Sequence, residues 1–340
     1  MQDAVTSVDE RTDGPGVSHI DPADPAAPLY QLLNHMRHPV TFRDLMILPV
    51  RTGYIGDRPL DPATLPPAAD ELYPQVAVSE LRVPSPAGPV RCQLYIPPRA
   101  GGPAAMCLYI HGGGFTVGRS EDTAYITSRI AAENGMVVVS VNYRLAPEWP
   151  FPAGLEDCLN VLLWMRQEGA SIGGDPARIA VAGDSAGGNL AAVLPLKARD
   201  EGHRPPQAAI LLCPITDFHF ENYESFERLA PLGIVYDTAF AGFIRGAYAV
   251  SRNNWDHPYV SPARADLRDY PPTLIVSGSA DPLTDDNRAF AEKLKAAGNK
   301  EVELLVRERM PHGFYFFPDV LADGEFAYAA ITSLIRRRFG

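Results

Sequence analysis

The pentapeptide Gly183-Asp184-Ser185-Ala186-Gly187 is the sharpest chemical signal in the chain. It follows the apolar run Ile179-Ala180-Val181-Ala182 and opens an Ala- and Leu-rich stretch from Asn189 to Leu194. A serine on so tight a strand-to-helix turn needs small neighbours and projects its hydroxyl above a sheet. The helix start behind it favours developing negative charge. The chemistry this suits is nucleophilic attack on a carbonyl. By itself the pentapeptide also fits a glycine-rich turn of a nucleotide-binding fold that carries no nucleophile.

Three further features narrow that choice. His111-Gly112-Gly113-Gly114 follows the strand-like Cys107-Leu108-Tyr109-Ile110. Acyl transfer passes through an oxyanion that needs fixed donors, and consecutive glycines let backbone N–H groups approach it. Gly113 and Gly114, with Ala186 behind the serine, are the candidate oxyanion donors; His111 is read as holding the loop. A serine hydroxyl also needs a base, and in this chain order the base comes last. Of eight histidines, His312 in Met310-Pro311-His312-Gly313-Phe314 follows the last strand-like segment. His203 and His257 read as surface or capping residues, and His19, His35 and His38 precede the sheet. The acid belongs between serine and base. Asp281 in Ser279-Ala280-Asp281-Pro282-Leu283 follows the run Thr273-Leu274-Ile275-Val276 and would hold the imidazole in the right tautomer. Asp217 is the runner-up acid. Asp285 and Asp286 read as the N-cap and first turn of the next helix.

These residues need a scaffold. Strands are expected over 76–82, 90–96, 105–110, 136–142, 178–183, 208–213, 272–277 and 302–307, and helices over 121–133, 154–168, 186–199, 286–297 and 324–338. Near-continuous apolar runs such as Met136-Val137-Val138-Val139 suit strands buried on both faces. The alternation predicts an α/β fold with a mostly parallel sheet flanked by helices. Residues 1–27 are acidic and rich in Pro and Gly and read as a flexible arm. Residues 28–49 show helical spacing broken at Pro39, and 58–75 form a proline-rich connector. Residues 214–260 interrupt the alternation with aromatic helical stretches near 223–230 and 236–250.

The 340 residues suggest about two domains at roughly 100–200 residues each. With 30 basic and 41 acidic side chains, the net charge of −11 argues against a nucleic-acid partner. The 33 prolines outnumber the 28 glycines and argue against a simple helical bundle. Four scattered cysteines, Cys92, Cys107, Cys158 and Cys213, make no CxxC pair and read as buried free thiols. No apolar run reaches about 18 residues, so no membrane span is expected. The acidic start carries no leader-like pattern, so a cytoplasmic protein is expected.

Taken together, His111–Gly114 and Gly183–Gly188 resemble the hormone-sensitive-lipase family of α/β-hydrolases, the bacterial family IV esterases. Tyr143-Arg144-Leu145-Ala146-Pro147-Glu148, Asp281-Pro282-Leu283 and His312-Gly313-Phe314 match further signatures of that family. Trp149 stands where the family more often has a histidine or another polar residue. The resemblance covers roughly 76–340 and implies an eight-stranded α/β-hydrolase sheet with a helical cap, built from 28–75 and from a second segment at about 214–260. It implies a serine carboxylesterase with the triad Ser185, Asp281 and His312, without metal or organic cofactor, and raises a homodimer through the last strand. Phe115, Asp184 and Phe218 are candidate pocket residues. Tyr223, Phe226, Tyr236, Phe240, Phe243 and Tyr248, with Phe42, Leu45 and Met46, supply apolar cap surface. That composition points to small-molecule esters with short or medium acyl chains, or to aromatic esters. Amidase or acyltransferase activity on the same triad is the alternative, and a non-catalytic receptor a remoter one. Arg144 and Glu148 are read as loop-holding residues, with Asp157 as a partner.

Overall fold

The computed structural model describes residues 54–55, 58–59, 72–98, 101–232, 236–316 and 323–340. The arm at 1–27 and the cap helices expected over 28–49, with Phe42, Leu45 and Met46, lie outside the described residues.

Eight strands form one sheet: β1 (Ala77–Val83), β2 (Val90–Ile96), β3 (Ala104–Ile110), β4 (Val137–Val141), β5 (Gly174–Asp184), β6 (Ala208–Leu212), β7 (Thr273–Gly278) and β8 (Val302–Arg307). Their order across the sheet is β8-β7-β6-β5-β3-β4-β2-β1. β2 runs antiparallel to both β1 and β4, and the remaining pairs are parallel. Every residue of β4, β6 and β7 is buried, which is why these strands read as near-continuous apolar runs. β5 starts four residues before its expected position. The polar stretch Asp175-Pro176-Ala177-Arg178 is taken up by a register irregularity against β3 and hides the strand from an apolar-run reading.

Among the described residues five helices clothe the sheet: α1 (Ala124–Asn134), α2 (Ala153–Glu168), α3 (Ser185–Asp200), then α6 (Thr284–Ala296) and α7 (Asp323–Phe339), with α4 (Glu224–Leu229) and α5 (Thr238–Ile244) in the excursion between β6 and β7. Two apolar cores result. Met106, Leu108 and Ile110 of β3 point into the core shared with α2, α3 and α6, while Cys107 and Tyr109 point into the one shared with α1 and α7. All four cysteines are buried free thiols. Among the described residues no helix is long and apolar enough to cross a membrane.

Register decides where the chemistry falls. Ile110 pairs with Gly183, Asp184 with Leu212, Leu212 with Val276 and Gly278 with Arg307. The carboxyl ends of β3, β5, β6, β7 and β8 therefore finish at one edge, and the loops that follow them all emerge there.

The excursion has a narrow neck. The Asn189 side-chain amide on α3 donates to Ile215 O and to Val260 O, both at 2.8 Å. Ala263 N donates to Thr216 O at 3.0 Å. Within the excursion, Arg245 ion-pairs with Glu221, donates from Nε to Phe218 O at 2.8 Å, and lies against the rings of Phe220 and Trp255.

The Tyr143–Glu148 loop divides its charged residues. Arg144 binds the buried Asp157 carboxylate through Nε and Nη2 at 2.9 Å, and Asp157 also accepts the Arg144 N–H. Glu148 does not share this role: it is exposed, because the loop turns outward beyond Ala146. Arg144→Ala leaves Asp157 buried beside a single backbone donor and should cost about 3 kcal/mol of stability. Glu148→Ala should stay within about 0.5 kcal/mol of the parent. Urea unfolding of the two variants checks both values, and an equal effect would contradict the assignment.

Candidate active site

Ser185 begins α3 immediately after β5, with φ +54°. A left-handed non-glycine residue costs of order 1–3 kcal/mol and persists only where its surroundings enforce it. Here the enforcement is steric. A Cβ on Gly183 would collide with Gly187 O, and one on Gly187 with Ile110 O and His111 O. The turn is thus pressed against the end of β3, and its flanking residues must be glycine.

The glycine loop is fastened to this turn by Asp184. The Tyr109 hydroxyl donates to its Oδ1 at 2.8 Å and Gly112 N–H donates to its Oδ2 at 3.0 Å. A Cβ on Gly112 would strike that same oxygen. Asp184, expected as a pocket residue, instead joins the two motifs from below, since both its oxygens are taken. His111 acts on the other side of the loop. Its ring stacks on Tyr143 at 4.4 Å, its Nδ1 lies 2.7 Å from Gly112 O, and Tyr143 OH donates to His111 O at 3.0 Å. Gly113, at φ +110°, accepts from Thr116 and Val117 N–H groups and closes the turn.

On the far side, His312 Nδ1 lies 2.8 Å from Asp281 Oδ2, and both side chains are buried. Asp281 Oδ1 accepts Leu283 N–H at 2.9 Å. His312 is close enough to Asp184 for its charge to favour that carboxylate. The other candidates go elsewhere. Asp217 pairs with Arg264 at 3.1 Å and accepts from Tyr223 OH at 3.1 Å. Asp285 and Asp286 lie in the first turn of α6 but do not cap it, because Leu283 holds the cap position. Asp285 accepts from Ser225 N at 2.9 Å, and the buried Asp286 accepts from Thr216 N at 2.7 Å and from the Thr216 hydroxyl. Burial pushes the Asp286 pKa up to about 7. His203 is exposed, and His257 Nδ1 accepts from Tyr259 N at 3.0 Å.

The cap segment reaches both halves of the site. A Cβ on Gly114 would meet Phe240 Cζ at 2.5 Å and Ile244 Cγ2 at 2.9 Å, so α5 rests on the glycine loop. The Tyr236 ring stands 5.8 Å from that of His312. Phe115 and Phe218, expected to line the pocket, lie deeper. Phe115 stacks on Tyr248 at 3.8 Å and meets Phe218 at 5.9 Å, and both are wholly buried. Large rings gain most from full burial, and depth is invisible in a linear sequence. Phe243 faces outward and is exposed. Tyr109 and Cys213, which border the site, carried no sequence signal beyond their place at strand ends.

Burial pushes the Asp184 pKa up to about 6 from an ordinary 3.8, while the Tyr109 hydroxyl, the His312 charge and the Gly112 N–H pull it down. A raised acid contributes stability that is complete below its unfolded value and is lost as pH rises through about 6. Asp184→Asn removes that dependence. The stability of the parent relative to the variant should therefore fall by about 3 kcal/mol between pH 4 and pH 7.5. Urea unfolding across that range reads it directly, and a pH-independent difference would count against the buried carboxylate.

Comparison with known proteins gives the family. The sequence model of the alpha/beta hydrolase fold family matches residues 107–316. Esterase LipI of Mycobacterium tuberculosis is 37% identical over 254 residues, 74% of this chain and 78% of the relative. Carboxylesterase NlhH of the same organism is 39% identical over 233 residues, 67% of this chain and 72% of the relative. The solved structure of a hyperthermophilic esterase from the archaeon Pyrobaculum calidifontis superposes with a TM-score of 0.74 at 35% identity, covering 77% of this chain and 85% of that one. On the family model and these identities, the chain belongs to the hormone-sensitive-lipase-like family of α/β-hydrolases.

Proposed function

We propose that the protein is a serine carboxylesterase acting through an acyl-enzyme. The observation that carries this reading is the buried Asp281–His312 pair at 2.8 Å, set at the same sheet edge as the strained Ser185 turn. Ser185 attacks the ester carbonyl while His312 takes its proton. Asp281 fixes the imidazole and stabilises the imidazolium that forms. The Gly113, Gly114 and Ala186 N–H groups hold the oxyanion; Gly112 N–H is already spent on Asp184. His312 returns the proton to the leaving alcohol, then activates a water that releases the acid.

Phe240, Ile244 and Tyr236 stand over the glycine loop and the base, which supports an enclosed, apolar site. Short or medium acyl chains and aromatic esters suit such a site better than long triglycerides. The segment at 214–260 supplies the described part of the cap. Four free thiols support a cytoplasmic setting. β8 pairs only with β7 among the described strands, and its open edge supports a homodimer.

Ser185→Ala should lower kcat/KM for p-nitrophenyl butyrate by at least about 10³-fold with the fold intact. Wild-type turnover by the variant would remove the reading. A p-nitrophenyl series from acetate to palmitate should peak at or below the medium chains, and a maximum at palmitate would overturn the substrate assignment.

A further inference from the structure

Asp281 is wholly buried, and a buried carboxylate needs donors for most of its lone pairs. Leu283 N–H serves one oxygen and His312 the other. A third group stands beside them. Cys213 is the residue after β6, and its Sγ, an Asp281 carboxylate oxygen and a His312 ring nitrogen all lie within 4.8 Å of one another. Its backbone has φ +45°, where a glycine would sit without strain. Its N–H donates to Val276 O at 2.7 Å, on the strand that leads to Asp281. A sulfur-bearing side chain is thus retained where the backbone favours none.

The surroundings of the sulfur decide what its proton does. The Asp281 carboxylate is the charged acceptor in this cluster, while the neighbouring Tyr315 OH donates to Leu212 O at 3.3 Å. Burial, and then the Asp281 charge, hold the thiol well above its usual pKa, so it remains a protonated donor. We propose that Cys213 is a positioning residue of the catalytic triad, its S–H donating to Asp281 so that the carboxylate keeps its orientation and His312 feels a moderated negative charge. This rests on the reading of Asp281 and His312 as acid and base.

The consequence is a pH effect. Without the donor, Asp281 directs more of its charge at His312 and stabilises the imidazolium more strongly. The other titratable groups facing this cluster are Asp184 from the serine turn, Tyr236 from the cap and Tyr315 from the loop after His312. They are common to every variant compared.

The test uses the full chain and its Cys213→Ala, Cys213→Ser and Cys213→Gly variants. kcat and KM for p-nitrophenyl butyrate are measured from pH 5 to pH 9, with competent sites counted by organophosphate titration. Ala and Gly should move the acid limb of kcat/KM upward by about half a unit and lower kcat about fivefold, with little change in KM. Ser keeps a donor and should stay close to the parent. Gly suits the backbone and keeps the test available if Ala fails to fold. If Cys213 only fills space, thermal stability changes while the acid limb stays in place, and the proposal is overturned. Persistence of activity in Ser185→Ala would instead sink the parent reading, so the two failures are distinguishable.

Discussion

One buried carboxylate ties the two reactive turns of this molecule together. Asp184 takes Gly112 N–H from the glycine loop and the Tyr109 hydroxyl from β3, while its own backbone forms the last residue of β5. The serine turn and the glycine loop cannot move apart without leaving that charge unpaired in an apolar interior, which is far more costly than any single hydrogen bond gained. The same approach explains the glycines. Gly183 and Gly187 are small because the turn sits against backbone carbonyls of the neighbouring strand end, and Gly112 is small because Asp184 occupies the space. The strain at Ser185 persists because both neighbours are locked in this way.

Much of this arrangement was legible in the sequence because the relevant signals are local. The apolar runs of β4, β6 and β7 mark strands buried on both faces. The order of glycine loop, serine turn, acid and base follows the order of strand ends. What stayed hidden depends on partners distant in sequence. Asp184 looks like a pocket residue until Tyr109 and Gly112 are seen to consume both oxygens. Glu148 sits in the same motif as Arg144, but Arg144 pairs with Asp157 on α2 while Glu148 is exposed. Phe115 and Phe218 carry no label for depth, and Tyr248, far along the chain, is what buries Phe115. The early start of β5 lay behind polar residues that a register irregularity accommodates.

The cap segment communicates with the catalytic half through a few defined contacts. α5 leans on Gly114, and Tyr236 stands by His312. Ser225, on α4, binds Pro282 O at 2.8 Å and accepts from Asp285 N at 3.1 Å, so the start of the cap also touches the loop that bears Asp281. Thr216 and Asp286 add a second tie between that loop's helix and the chain leaving β6.

The neck of the excursion has a consequence for how such a protein can change. Asn189 grips the outgoing and returning chains at Ile215 and Val260, and Thr216 binds the returning chain again at Ala263. The segment between starts and ends at this collar, so insertions, deletions or exchanges away from its contacts with Gly114, His312 and the Asp281 loop need not disturb the strands on either side. The molecule separates into a reactor and a visor. Its substrate range can then drift, or be engineered by transplanting a visor between the same two collar points, while the serine turn keeps its geometry.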